Sequence, residues 1–186
     1  MTEVLPISVV IPCHNGEPFL AQALDSVLAQ TMPATEVILV DDGSTDGTAT
    51  IGRAYAERYP GIVHYVWQKN SGVSESRNVG MRKAKCEWVA FLDADDWFLP
   101  EKLARQAALI AAQPHLDFVY TALTNCSGDA PPTVFNTPTS SARFRRISTL
   151  DGAIQLPVRS AGHNLSGGGV LNTTGGASPE QFVSAV

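Results

Sequence analysis

The sequence predicts an α/β fold, a mostly parallel central sheet with helices on both faces. Two observations carry this. Short β-branched apolar runs alternate with helical patterns through residue 123, in the order β-α-β-α-β-α-β-α-β. Polar clusters then close four of the strands, at residues 12–15, 41–44, 68–72 and 93–96. All four fall on the carboxyl edge of the expected sheet, where ligands bind in open α/β folds.

The first strand is LPISVVI, residues 5–11, bounded by Pro12. Residues 17–31 place Leu20, Leu24, Val27 and Leu28 at helical spacing, with Pro18 tolerable in a first turn. EVILV, residues 36–40, is the second strand, and Asp46 is the expected N-cap of a helix reaching Tyr59. IVHYVW, residues 62–67, is the third strand. Residues 71–85 form a basic helix with Arg77, Arg82, Lys83 and Lys85. Residues 87–92 make the fourth strand, residues 100–113 a helix and residues 117–123 a fifth strand. Beyond Thr124 the alternation dissolves into Pro-, Ser-, Thr- and Gly-rich sequence. The expected division is an α/β domain at 1–123 and a loop-rich region at 124–186.

The chain has 186 residues, 44% apolar and 17% charged, which suits one core and argues against disorder over most of its length. The net charge of -5 argues against a nucleic-acid partner, which selects a basic surface. Three cysteines, Cys13, Cys86 and Cys126, have neither metal-knuckle spacing nor a disulfide pattern, as expected in a reducing cytosol. No signal peptide and no transmembrane segment are expected. A cytoplasmic location follows, with a place peripheral to the inner face of the membrane left open.

Three stretches carry chemistry. In VILVDDGSTDGT, residues 37–48, carboxylates end a strand and could accept hydrogen bonds from a nucleobase N–H or a ribose hydroxyl. An Asx turn at Asp41 and a helix cap at Asp46 are the structural alternative. In NSGVSESRNVGMRKAK, residues 70–85, Gly72 opens a helix whose N-terminus, with Arg77, suits a phosphate or an acidic base edge. A solvated basic face accounts for Arg82, Lys83 and Lys85. In FLDADDWFLP, residues 91–100, Asp93, Asp95 and Asp96 crowd one strand end. Such crowding asks for a cation, and Mg²⁺ or Mn²⁺ bridging to a diphosphate fits hard oxygen donors. On an extended chain Asp95 and Asp96 would point to opposite sides, one toward a ribose and one toward the metal. Capping of the next helix is the competing role for Asp96.

Taken in order, PCHNGEPFLAQALDSVLAQT, VILVDDGSTDGT, NSGVSESRNVG and FLDADDWFLPEKL resemble the family 2 inverting glycosyltransferases of GT-A (Rossmann-like) fold, over residues 5–121. The resemblance implies that Pro12 and Asn15 belong to the nucleotide loop, that Asp42 reads the base and that Arg77 helps to bind nucleotide. It implies that Asp95 contacts the sugar-nucleotide and that Asp96, in a D-x-D motif, holds the metal. The implied donor is a nucleotide-diphosphate sugar, a UDP-sugar first, and the implied acceptor a saccharide or lipid-linked hydroxyl in glycan biosynthesis. His14 stands where the family more often has Tyr. The family's later acidic motif, whose Asp is the general base, has no counterpart after Asp96. The catalytic base is therefore unassigned, and a truncated transferase, or a nucleotide-sugar-binding module without catalysis, is expected as the alternative.

Other folds share parts of this spelling. A response-regulator receiver needs its acidic pair after the first strand and a late Lys, and none follows Lys102. A haloacid-dehalogenase phosphatase lacks both its late Lys and its Asp-x-Asp-Gly-Thr continuation. A dinucleotide-binding dehydrogenase would need Gly-x-Gly-x-x-Gly after the first strand.

Overall fold

The computed structural model describes residues 5–116, 118–119 and 170–172. The described strands are β1 (Ile7–Cys13), β2 (Glu36–Asp42), β3 (Val63–Gln68), β4 (Trp88–Phe91), β5 (Phe118–Val119) and β6 (Val170–Asn172). The helices are α1 (Leu20–Leu28), α2 (Thr48–Arg58), α3 (Val73–Lys83) and α4 (Lys102–Ala112). The sheet runs β3-β2-β1-β4-β6-β5. Strands β1 to β4 pair in parallel, while β6 is antiparallel to both β4 and β5.

Alternating side chains explain the layers. From β1, Ile7, Val9 and Ile11 pack with Leu20, Leu24, Leu103 and Ile110 of α1 and α4, while Val10 joins Ile38, Val40 and Met81 on the α3 side. Helices therefore cover both faces, as the near-continuous apolar strands require. Gly80 brings α3 close to β1, since a Cβ there would run into the Val10 side chain. At the amino edge Glu36, 3% exposed, accepts from Ser8 Oγ at 2.7 Å and from the Lys85 backbone N–H at 2.6 Å, so the starts of β1, β2 and β4 share one carboxylate.

Three expectations need correction. The first strand does not stop before Pro12; it continues to Cys13, with Pro12 opposite Val40. The ladder to β4 pairs only as far as Val10, whose carbonyl accepts from the Leu92 N–H, so Pro12 lies beyond it and its missing N–H breaks no bond on that side. Gly47, not Asp46, is the N-cap of α2, although an Asp46 oxygen still accepts from the Thr48 N–H at 3.0 Å. Residues 170–172, expected as loop, supply β6. The remainder of the expected loop-rich region at 124–186 lies outside the described residues, with Cys126 and with Asp151 and His163, the side chains that could be invoked as substitutes for the missing base; Asp117 lies outside them too.

Candidate functional site

The strand order reverses direction at β1, whose sheet neighbours β2 and β4 lie on opposite sides. The crevice of such a sheet opens at the carboxyl ends of those central strands. Here the loops after β1 and β4 touch: a Cβ on Gly16 would lie 3.4 Å from Ala94 Cβ and only 2.5 Å from Cys13 Sγ. Burial pushes the Cys13 thiol up to about 11, so this sulfur at the crevice floor stays protonated and unreactive.

The loops after β1 and β2 are laced together. The Gly16 N–H donates to Thr48 Oγ1 at 2.9 Å, the Glu17 N–H to Asp46 at 3.1 Å, and the Gly47 N–H to Glu17 Oε2 at 2.8 Å. Asn15 adopts the left-handed conformation, with φ 53°. Its Oδ1 accepts from the Thr45 N–H at 2.9 Å, and its own N–H donates to Ser44 Oγ at 2.9 Å. His14 Nδ1 lies 2.8 Å from the Asp42 carbonyl oxygen. A carbonyl can only accept, so Nδ1 carries the proton and Nε2 receives the amides of Asn15 and Asn70, each at 3.3 Å.

The two carboxylates ending β2 have separate fates. Asp41 is fully buried; it accepts from the Ser44 N–H at 2.9 Å, the Asx turn read as the alternative, and from Tyr65 OH at 2.6 Å. Burial and that bond push the Tyr65 phenol up to about 12. Asp42 instead reaches β3 and α3, accepting from Gln68 Nε2 at 2.6 Å and from the Ser71 and Gly72 N–H groups, each at 2.8 Å. Burial alone would raise its pKa, but these three donors and the nearby His14 outweigh it and hold the carboxyl below its ordinary value. Gly72, at φ 89°, makes the turn that aims both N–H groups at Asp42, a conformation that favours glycine. The helix N-terminus that the sequence offered to a phosphate thus already carries a protein anion.

Arg77 on α3 pairs with Asp93 after β4 at 2.7 Å, both half-buried. Among the described residues its other N–H groups have no partner. The stretch after β4 is not extended. The Asp96 N–H donates to the Asp93 carbonyl at 3.0 Å, closing a turn that leaves Asp95 exposed and Asp96 half-buried. Arg77 takes Asp93 at the start of this turn. Burial first, then the charges of Asp95 and Asp93, raise the Asp96 pKa. Asp42 is thereby joined through Ser71 and Gly72 to α3, through Arg77 to Asp93, and through the turn to Asp96: one edge of the sheet, not scattered surfaces.

The acidic turn offers carboxylate oxygens, the donor type that divalent cations such as Mg²⁺ prefer. No set of three or more His, Cys, Asp or Glu among the described residues is arranged to hold a metal unaided. A nucleotide-bound Mg²⁺ or Mn²⁺ needs only one or two carboxylates beside phosphate oxygens. Asp96, its carboxyl raised by burial and then by the charges of Asp95 and Asp93, has no side-chain partner among the described residues.

Sequence reading had not given His14, Gln68 or Asn70 a role. Each is a polar side chain at a strand end, a signal visible in the sequence, but nothing there shows that they converge on Asp42 or on one another. Among the described residues no helix is long and apolar enough to cross a membrane.

Comparison with known proteins supplies the context. The glycosyltransferase YibD of Escherichia coli (strain K12) is 33% identical over 149 residues, 80% of this chain and 43% of YibD. The crystal structure of S. aureus TarS 1-349 in complex with UDP-GlcNAc superposes with a TM-score of 0.61 at 32% identity, over 69% of this chain and 37% of that one. The mannosyltransferase PcManGT from Pyrobaculum calidifontis, in complex with GDP-Man and Mn²⁺, gives 0.55 at 28% identity, over 65% and 36%. This chain therefore spans about two fifths of the length of these three proteins. The likeness and the parallel sheet identify the fold as GT-A, Rossmann-like. Residues 8–164 match the family model for glycosyl transferase family 2, and the chain belongs to that family.

Proposed function

We propose that this chain binds a nucleotide-diphosphate sugar, a UDP-sugar first, and serves its metal-assisted transfer, with inversion, to a saccharide or lipid-linked acceptor hydroxyl. The observation that carries the reading is the convergence of Asp42, Arg77 and the Asp93–Asp96 turn on one sheet edge. TarS with UDP-GlcNAc and PcManGT with GDP-Man and Mn²⁺ support the donor class, and the closer likeness to TarS favours uridine.

Residues 1–123 carry the donor site, and the acceptor side falls to residues 124–186. Asn15, held left-handed beside Pro12 at the end of β1, shapes the nucleotide loop. Asp42, kept charged by its donors, has a lone pair left on Oδ2 for a base N–H. Arg77, steadied by Asp93, directs its remaining N–H groups to the diphosphate. Asp95 meets the sugar-nucleotide and Asp96 holds Mg²⁺ or Mn²⁺. When bound, that ion supplies Lewis-acid stabilisation of the charge gathering on the departing diphosphate. The residues would act in the cytoplasm, where nucleotide-sugars are used.

Calorimetry tests this. The unaltered chain should bind UDP more tightly with Mn²⁺ than in EDTA, and Asp96→Ala should lose that gain. Unchanged affinity in the variant overturns the metal assignment. Donor binding with neither transfer nor hydrolysis of a UDP-sugar would mark a binding module instead.

A further inference from the structure

Between Asp96 and the start of α4, residues 97–101 contain no regular secondary structure, and Trp97 and Leu99 are 37% and 46% exposed. Only Phe98 is buried there. Phe98, in the core, holds the middle of this segment, and hydrogen bonds from α1 and the turn after it fix the backbone around it.

Ser26 Oγ–H donates to the Ala23 carbonyl at 2.7 Å, which leaves its lone pairs to accept the Phe98 N–H at 3.0 Å. Gln30 Nε2 donates to the Leu99 carbonyl at 2.8 Å and to the Ser26 carbonyl at 3.0 Å, while its Oε1 accepts the Leu103 N–H at 3.0 Å. One residue on, the Thr31 N–H donates to the Pro100 carbonyl at 2.8 Å. Gln30 is 6% exposed, beside Val27 at 1% and Leu103 at 0%. A leucine or methionine would fill such a place without the desolvation of an amide, so the amide is there for its bonds.

We propose that Ser26 and Gln30 are positioning residues for the acidic turn, fixing the backbone just after Asp96 so that Asp95 and Asp96 present their oxygens to a divalent ion held with a nucleotide diphosphate. This rests on the donor-site reading above. Asp93 is anchored to Arg77 on one side and residues 98–103 to Ser26 of α1 and Gln30 just after it on the other, so Asp95 and Asp96 lie between two fixed points. Ser26 and Gln30 would act through the backbone and not as ligands, as partners behind a metal ligand do.

The full chain is titrated with UDP, with Mn²⁺ and in EDTA, as the unaltered protein and as Ser26→Ala, Ser26→Thr and Gln30→Met. The expected result is that Ser26→Ala and Gln30→Met lose about tenfold or more of the Mn²⁺-dependent gain. Their UDP affinity in EDTA stays unchanged, and Ser26→Thr, which keeps the hydroxyl, restores the gain. Exchange should quicken at the Phe98 amide in Ser26→Ala and at the Leu103 amide in Gln30→Met. Variants that unfold cooperatively and keep the whole gain overturn the proposal, as does an equal fall in EDTA. If Gln30→Met does not fold, the Ser26→Ala and Ser26→Thr pair decides the matter. If the unaltered chain shows no Mn²⁺ gain, the donor-site reading itself fails and the positioning role falls with it.

Discussion

Asp96 sets function against stability. Its carboxyl stands above the ordinary 3.8 because of burial and then because of Asp95 and Asp93. A carboxyl raised in this way binds its proton more tightly in the folded chain than in the unfolded one. Native stability therefore falls as pH rises through 3.8 toward the raised value, and the full cost is present above it. Without metal at pH 7, Asp96→Asn should raise the urea midpoint, and its advantage should shrink as the pH is lowered toward about 4; equal midpoints at pH 7 would contradict this. Asp42 has the opposite sign, since its depressed carboxyl contributes stability above the ordinary carboxylate range and loses it as pH falls through the lowered value. The acidic residues themselves could be read from the sequence, because strand-end carboxylates are conspicuous there. Which oxygen meets which donor could not, because Asp42 and Gly72 are 30 positions apart and only the fold joins them.

Periodicity placed every described helix and parallel strand to within a few residues, because β-branched runs and helical apolar stripes are strong local signals. It missed β6, a strand of three residues whose partners, near 88–90 and 118–119, are remote in sequence. The closeness of α3 to β1 was equally hidden, since a glycine in a helix reads as a weakness and not as a contact. Gly80→Ala tests that contact. Overpacking against Val10 costs about 1–3 kcal/mol, and the better helix propensity of alanine offsets about 1 kcal/mol. A net loss is expected, seen as a lower urea midpoint with an unchanged slope; a gain would show that α3 can shift away from the sheet.

Taken whole, the molecule joins two kinds of pairing in one sheet. Strands β3, β2, β1 and β4 come from one continuous stretch, whereas β5 pairs, among the described residues, with β6 alone. A chain ending at residue 165 should therefore keep slow amide exchange at residues 9–11 and 37–40 and lose it at Phe118 and Val119. Protection retained at 118–119 would mean that β5 has another support.

That arrangement sets an order of events during synthesis. The four parallel strands can assemble as soon as residue 91 is free, but Phe118 must wait about fifty residues for Leu171 to be made. Until then β4 offers the growing sheet an open margin, and the nascent chain carries a nearly finished half beside an unclaimed strand.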